Sequence, residues 1–295
     1  SRSIEDPDDR VMDRISKLKD DEIGYHIIEN LSQEGAELSF NIEYTVLEVQ
    51  LAHPILPGST TELNMNFKSQ IPVQIRRSGR DNKEGISYSM AQWYPKIAAY
   101  DTRGWHAEPY VAREFYAPWG QFDVSITIDK NYVVAASGIL ENNNAIGYGY
   151  QDDPLIDQKH KGRKLTWHFV NEKAHDFMWA ADPDYIHQIA QVPNGPKLHF
   201  FYQQGQATRH WKKLPEIIIA AFQYMNTHFG AYPFSDFYVI QGGDGGMEYP
   251  MSTLITGNRD LSSLVGVTVH EALHSWYQGV LATNESYYHW MDEGY

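Results

Sequence analysis

Apolar and polar residues alternate along several segments of the first 200 positions. Leu38, Phe40, Ile42, Tyr44 and Val46 occupy every second position, with polar residues between most of them. The same alternation recurs over residues 63–67, 122–128 and 165–169. A period of two residues predicts half-buried β-strands. The pattern therefore predicts an antiparallel, strand-rich domain over residues 35–202, preceded by a charge-rich N-terminal arm over residues 1–34.

A different periodicity begins after residue 202. Apolar residues continue from Pro215 to residue 229 and stop at Gly230, and proline near the start with glycine past the end is the expected helix asymmetry. A short β-type run follows over residues 237–240. A second helix is predicted over residues 263–277, with Gly279 as its stop. We therefore predict an α+β fold with a second domain over residues 203–295.

Composition excludes some classes of function. The 295 residues suggest two domains, and the formal net charge of −14 opposes binding to nucleic acid or anionic lipid. No stretch approaches the ~20 apolar residues of a membrane span, so we expect a soluble protein without membrane insertion. No signal peptide is visible near Ser1, and the compartment and the oligomeric state stay open.

The strongest chemical signal is a pair of histidines four residues apart. His270 and His274 fall on one face of the predicted helix, where two imidazoles can bind a single zinc ion. Glu271 lies beside them as a candidate general base, and Glu293 follows eighteen residues after His274 as a candidate third ligand. The absence of cysteine restricts a metal site to His, Asp and Glu. Other histidines, including His175, lack ligand spacing and are interpreted as packing residues.

These motifs resemble the gluzincin metallopeptidases of the aminopeptidase N type. Their signature is His-Glu-x-x-His, eighteen residues, and Glu, and this chain matches it without a gap. Residues 245–250 resemble the Gly-x-Met-Glu-Asn strand of that family. The resemblance implies that Gly246, Met247 and Glu248 bind the free N-terminus of the substrate, with Glu248 receiving the ammonium group. Tyr249 stands where the family has Asn, and Gln92 is the candidate for a further contact from the N-terminal domain.

The resemblance implies a strand-rich saddle domain followed by the start of a thermolysin-like α/β catalytic domain, truncated in this chain. It implies one Zn²⁺ per chain and an aminopeptidase that removes N-terminal residues from peptides. Family members carry a catalytic tyrosine well beyond the third ligand. We therefore expect the chain to be a portion of a longer enzyme, with weak zinc binding and impaired activity alone. The alternatives are a gluzincin endopeptidase and a non-catalytic peptide-binding scaffold.

Overall fold

The computed structural model describes residue 11 and residues 13–108, 116–153 and 160–294. The strands in chain order are β1 (Tyr25–Gln33), β2 (Ala36–Glu37), β3 (Ser39–Glu43), β4 (Val46–Gln50), β5 (Leu63–Gln70), β6 (Gly79–Arg80), β7 (Tyr88–Met90), β8 (Ala99–Asp101), β9 (Gly104–His106), β10 (Gly120–Asp129), β11 (Val133–Ala136), β12 (Ile139–Leu140), β13 (Lys164–Ala174), β14 (Trp179–Asp182), β15 (Tyr185–Gln191), β16 (Lys197–Gln203), β17 (Asp236–Gln241), β18 (Gly246–Tyr249) and β19 (Ser252–Ile255). The α-helices are α1 (Asn143–Ile146), α2 (Leu214–Phe229), α3 (Leu261–His274) and α4 (Trp290–Glu293), with a π-helix at Ser275–Val280 and 3₁₀ turns at Ile15–Lys17 and Trp211–Lys213.

The chain divides into two compact units. The first contains the described residues within 1–73 and 98–115, and the second those within 74–97 and 116–294. In the first unit, β1 pairs antiparallel with both β2 and β5. Two further hairpins, β3–β4 and β8–β9, complete its strands.

The predicted strand over residues 38–46 is instead a hairpin. Glu43 pairs with Val46 across a turn in which Tyr44 has a φ of 54°. Phe40 and Ile42 are 39% and 54% exposed, whereas a half-buried strand was expected. Alternation reports which side chains share a face of a strand. It carries no information on whether a second layer covers that face.

The division into units differs from the predicted domain boundaries at residues 34 and 202. Residues 25–33 of the predicted arm form β1, and residues 1–10 of that arm lie outside the described part of the chain. The strand β16, which ends at Gln203, pairs with β15 before it and with β17 after it. One sheet therefore contains strands from both sides of residue 203. The change in periodicity near that residue marks the approach of the first long helix, α2.

The predicted strand over residues 63–67 lies in β5 of the first unit, and two other predicted strands lie in the second unit. Residues 122–128 and 165–169 lie in β10 and β13, which pair antiparallel over almost their whole length. The buried Trp167 and Phe169 of β13 join one hydrophobic core with residues of β11 and β14. This part of the unit is antiparallel, as the alternation predicts.

A mixed five-stranded sheet supports the region of the histidine motif. Its order is β15-β16-β17-β19-β18, and the contacts of β16 with β17 and of β17 with β19 are parallel. Alternate residues of β16 enter two different cores: Phe200 packs with α2 and α3, while Phe201 faces the core shared with β11 and β14. A sheet covered on both faces has nearly continuous apolar strands, which explains the run from Leu198 to Tyr202.

The strand-rich α+β class is thus confirmed, with few helices. None of the helices in the described ranges has the length and apolar character needed to cross a membrane.

Candidate metal centre

The helix α3 carries the histidine pair. It begins after Asp260, whose side chain accepts a hydrogen bond from the backbone N–H of Ser263 and so caps the first turn. Leu264 and Ala272 anchor the helix in the core beneath the five-stranded sheet. At His274 the chain passes into the π-helix Ser275–Val280, whereas the sequence predicted one helix to residue 277.

The three predicted metal ligands meet at the end of this helix. The Nε2 atoms of His270 and His274 are 3.3 Å apart. The Oε2 atom of Glu293 lies 3.3 Å from Nε2 of His270 and 3.9 Å from Nε2 of His274. Zinc bonds of about 2.0–2.1 Å at tetrahedral angles place neighbouring ligand atoms about 3.3–3.4 Å apart. Two of the three separations match this spacing and the third, at 3.9 Å, is about 0.5 Å longer, so the two nitrogens and one oxygen come close to the arrangement of three zinc ligands.

A carboxylate outside the predicted ligand set contacts one of the candidate ligands. Nδ1 of His274 donates a hydrogen bond to Oδ1 of Asp292 at 2.6 Å, and both side chains are buried. This contact assigns the ring proton to Nδ1 and leaves Nε2 free to coordinate a metal. Burial alone would lower the pKa of His274, but the hydrogen bond and the charge of Asp292 outweigh it and raise that pKa. The signal available in the sequence was the Asp directly before the third ligand.

Glu271 lies between α3 and β18. It is 5% exposed, and this burial raises the pKa of its carboxyl group, although the charge of His274 opposes the shift. A Cβ atom on Gly246 would lie 2.2 Å from Oε1 of Glu271. Glycine at this position of β18 therefore makes room for the carboxylate. The structure thus brings Gly246 next to Glu271 and Val267 of α3.

The strand β18 presents its residues alternately to α3 and to the core. Glu248 faces the histidines, with its Oε2 atom 3.8 Å from Nε2 of His274. Met247 is only 6% exposed and packs in the hydrophobic core, so its side chain does not reach the centre. Gln92 lies near this strand, since its Nε2 atom is 3.5 Å from the hydroxyl oxygen of Tyr249. Its backbone φ of 47° is unusual for a residue other than glycine.

Acidic and imidazole groups are concentrated at this centre. Ligand atoms of His270, Glu271 and His274 lie within 4.8 Å of one another, and so do those of Glu248, His274 and Asp292. The side chain of His274, common to both sets, is 4% exposed, while that of His270 is 49% exposed. The centre therefore has one buried side and one side open to solvent, which suits a metal site that must also admit a reactant.

Comparison with known proteins gives similarity in structure without a match in sequence. No protein-family model matches the chain, and no curated protein matches it. An M1 zinc metallopeptidase from Deinococcus radiodurans superposes with a TM-score of 0.58 and 19% identity, over 86% of this chain and 55% of that one. Aminopeptidase A from Legionella pneumophila, solved with aspartic acid, gives 0.58 and 12% identity over 85% of this chain and 29% of that one. Yeast LTA4 hydrolase superposes with a TM-score of 0.51 and 17% identity, over 88% of this chain and 39% of that one.

The fold of the chain is therefore that of the M1 zinc metallopeptidases. This finding confirms, at the level of fold, the resemblance to the aminopeptidase N type that the histidine motif indicated. The chain spans about half the length of the Deinococcus enzyme and less of the other two. At these identities the likeness concerns the fold, and the activity has to be argued from the residues of this chain.

Proposed function

We propose that the chain contains the zinc-binding part of an aminopeptidase, including the start of a thermolysin-like catalytic domain. The observation that carries this proposal is the cluster of Nε2 of His270, Nε2 of His274 and Oε2 of Glu293, with separations of 3.3–3.9 Å. Two histidines and one carboxylate that leave a fourth position open are typical of a hydrolytic zinc site. Asp292 orients one of the histidines, as metal ligands usually require.

Glu271 is the candidate general base. When bound, the zinc ion would acidify a water molecule and polarise the substrate carbonyl group. Glu271 neighbours His270 along the chain without sharing its helix face, so its carboxylate lies beside the ligands, where it can accept a proton. The same carboxyl group can return that proton to the departing amine. The lack of a side chain at Gly246 leaves the space that this carboxylate occupies.

Glu248 supports exopeptidase action. Its side chain is 12% exposed and lies next to the metal ligands, where a negative charge can bind the ammonium group of a peptide. The strand β18 ends the order of its sheet, and a peptide substrate is proposed to pair with the outer edge of this strand. Gln92 lies close to Tyr249, and we propose that it contacts the same end of such a peptide.

A single substitution tests the zinc peptidase proposal. In the proposed full-length enzyme, Glu271→Gln keeps the size of the side chain and removes its basicity, so we expect a stoichiometric zinc content and loss of hydrolysis of an aminoacyl chromophore. Zinc is measured by mass spectrometry on the same samples. Wild-type turnover in this variant would contradict the role of Glu271, and absence of zinc from the wild-type protein would contradict the metal site.

Two alternatives are separated by further assays. An endopeptidase would hydrolyse an N-acetylated peptide as well as the free one, whereas an aminopeptidase that uses Glu248 would fail on the acetylated substrate. Tyr249 stands where the family has Asn, and this difference is the reason to test the endopeptidase alternative. A peptide-binding scaffold would bind peptides without zinc and without turnover.

A further inference from the structure

The segment that carries the third metal ligand has no apolar anchor. Within residues 281–294, all of which the structure describes, Glu285 and Asp292 are the only buried residues. Four of its large apolar side chains are exposed by 40–64%, namely Leu281, Tyr287, Tyr288 and Trp290, and Met291 is partly buried. No apolar side chain of the segment is fully buried, and its two buried carboxylates must be stabilised by polar contacts.

Each buried carboxylate contacts the continuous helical stretch that carries the histidines. Asp292 accepts the hydrogen bond from His274. Seven residues earlier, Glu285 accepts one from the side-chain amide of Gln278, which lies in the π-helix one turn beyond His274. Gln278 and Glu285 are 6% and 5% exposed. The segment is thus attached to the helical stretch at two points, on either side of its exposed aromatic residues.

The hydrogen bonds of Gln278 show which ring nitrogen of His175 is unprotonated. Nε2 of Gln278 contacts both Oε1 of Glu285 and, at 3.2 Å, Nε2 of His175. An amide nitrogen has two hydrogens to donate, which matches one carboxylate and one unprotonated ring nitrogen. A flipped amide would place its oxygen against the carboxylate. His175 is therefore a neutral acceptor, consistent with burial of its ring lowering its pKa to about 4, although part of the residue reaches the surface.

We infer that Gln278 and Glu285, with His175 behind them, are positioning residues for the candidate metal centre. They hold the start of the segment, and His274 with Asp292 holds its end, so that the Glu293 carboxylate stays within reach of the histidines. Release of the first contact removes one of the two buried side-chain hydrogen bonds that join this segment, with its four-residue helix α4, to the helical stretch. The metal then binds only after the segment is reordered, and its affinity falls. This inference depends on the proposed zinc site.

The test compares Gln278→Ala and Glu285→Ala with Leu281→Ala, an exposed residue of the same segment. Zinc affinity is measured by competition with a chromogenic chelator. We expect a 10–100-fold loss for the first two variants, as for other residues that support metal ligands, and no change for the third. Wild-type affinity in Glu285→Ala would overturn the inference.

Two further measurements keep the test independent of the zinc proposal and of misfolding. Hydrogen exchange in the metal-free protein should show lost protection over residues 281–294 in Glu285→Ala but not in Leu281→Ala. Equal protection in both variants would contradict the anchor even if the protein bound no zinc. The exchanged pair Q278E/E285Q keeps a donor opposite an acceptor, and His175 can donate to Glu at 278 after changing tautomer. We expect this pair to regain most of the affinity lost in Glu285→Ala, and a failure to regain it would count against the inference.

Discussion

Replacement of Gly246 by alanine should displace the candidate base while sparing the metal ligands. The added Cβ would lie 2.2 Å from Oε1 of Glu271 and 2.6 Å from Cγ2 of Val267. Ordinary contacts begin near 3.4 Å, so the carboxylate has to withdraw by about 1 Å. A displacement of that size reduces rates by about 100-fold, or roughly 2.7 kcal/mol in the activation barrier.

The assay is steady-state hydrolysis of an aminoacyl chromophore, together with zinc analysis. We expect kcat to fall about 100-fold and the zinc content to stay at the wild-type value, because the atoms nearest to the new methyl group belong to Glu271 and Val267. Gly266→Ala is the matched control. It adds a methyl group at an exposed position of α3 with no atom within 4 Å, and should stabilise the helix by about 0.5–1 kcal/mol at unchanged activity.

Two results would refute this reasoning. Wild-type kcat in Gly246→Ala would mean that the carboxylate of Glu271 does not work from its place beside β18. Loss of zinc in that variant would mean that the methyl group moves α3 as a whole, so that Gly246 serves helix packing instead of the position of one side chain.

Three other predictions address the ligand support, the pH dependence and the core. Asp292→Ala should weaken zinc binding 10–100-fold, as measured by chelator competition. Asp292→Asn keeps an acceptor for Nδ1 of His274 and should lose less affinity. Equal losses in the two variants would contradict an orienting role of Asp292. Burial lowers the pKa of both His187 and His199, although Asp236 opposes the shift for His199. Below pH ~6.5 these histidines therefore bind more protons in the unfolded state than in the folded state. The free energy of unfolding in urea should therefore fall as the pH is lowered below about 6.5, and less steeply in His187→Gln; parallel curves would contradict this assignment. Phe222→Ala should lower the free energy of unfolding in urea by about 3–5 kcal/mol, because this ring of α2 is fully buried against Phe237 of the sheet and Trp276. Phe229→Ala, at a 42% exposed position of the same helix, should lower it far less.

Local patterns predicted much of the secondary structure and the centre of the candidate site. The helix over residues 215–229, the strand over 237–240 and the strands at 122–128 and 165–169 all appear in the structure. Each is a feature of neighbouring residues in the chain. The spacing of His270 and His274 belongs to the same category, because the pitch of a helix alone brings residues four apart together.

Contacts between distant residues were beyond such patterns. The alternation at residues 38–46 predicted a half-buried strand and missed a turn at Tyr44 and the exposure of Phe40. The sequence grouped Met247 with Glu248 as binding residues, yet the two point to opposite faces of β18. Which face meets α3 is a property of the packed sheet, and the sequence motif does not contain it.

The sequence by itself determined the chemistry available to this protein: two histidines on one turn of a helix, a neighbouring carboxylate, a candidate third ligand eighteen residues further on, and no thiol. The tertiary structure decided which groups support that chemistry. Asp292 reaches His274, Gly246 makes room for Glu271, and Gln278 reaches Glu285 only because the helical stretch, the edge strand and the following segment pack together. Helix geometry acts over a few residues and can be read along the chain, whereas these contacts depend on the burial and docking of elements that are far apart in sequence.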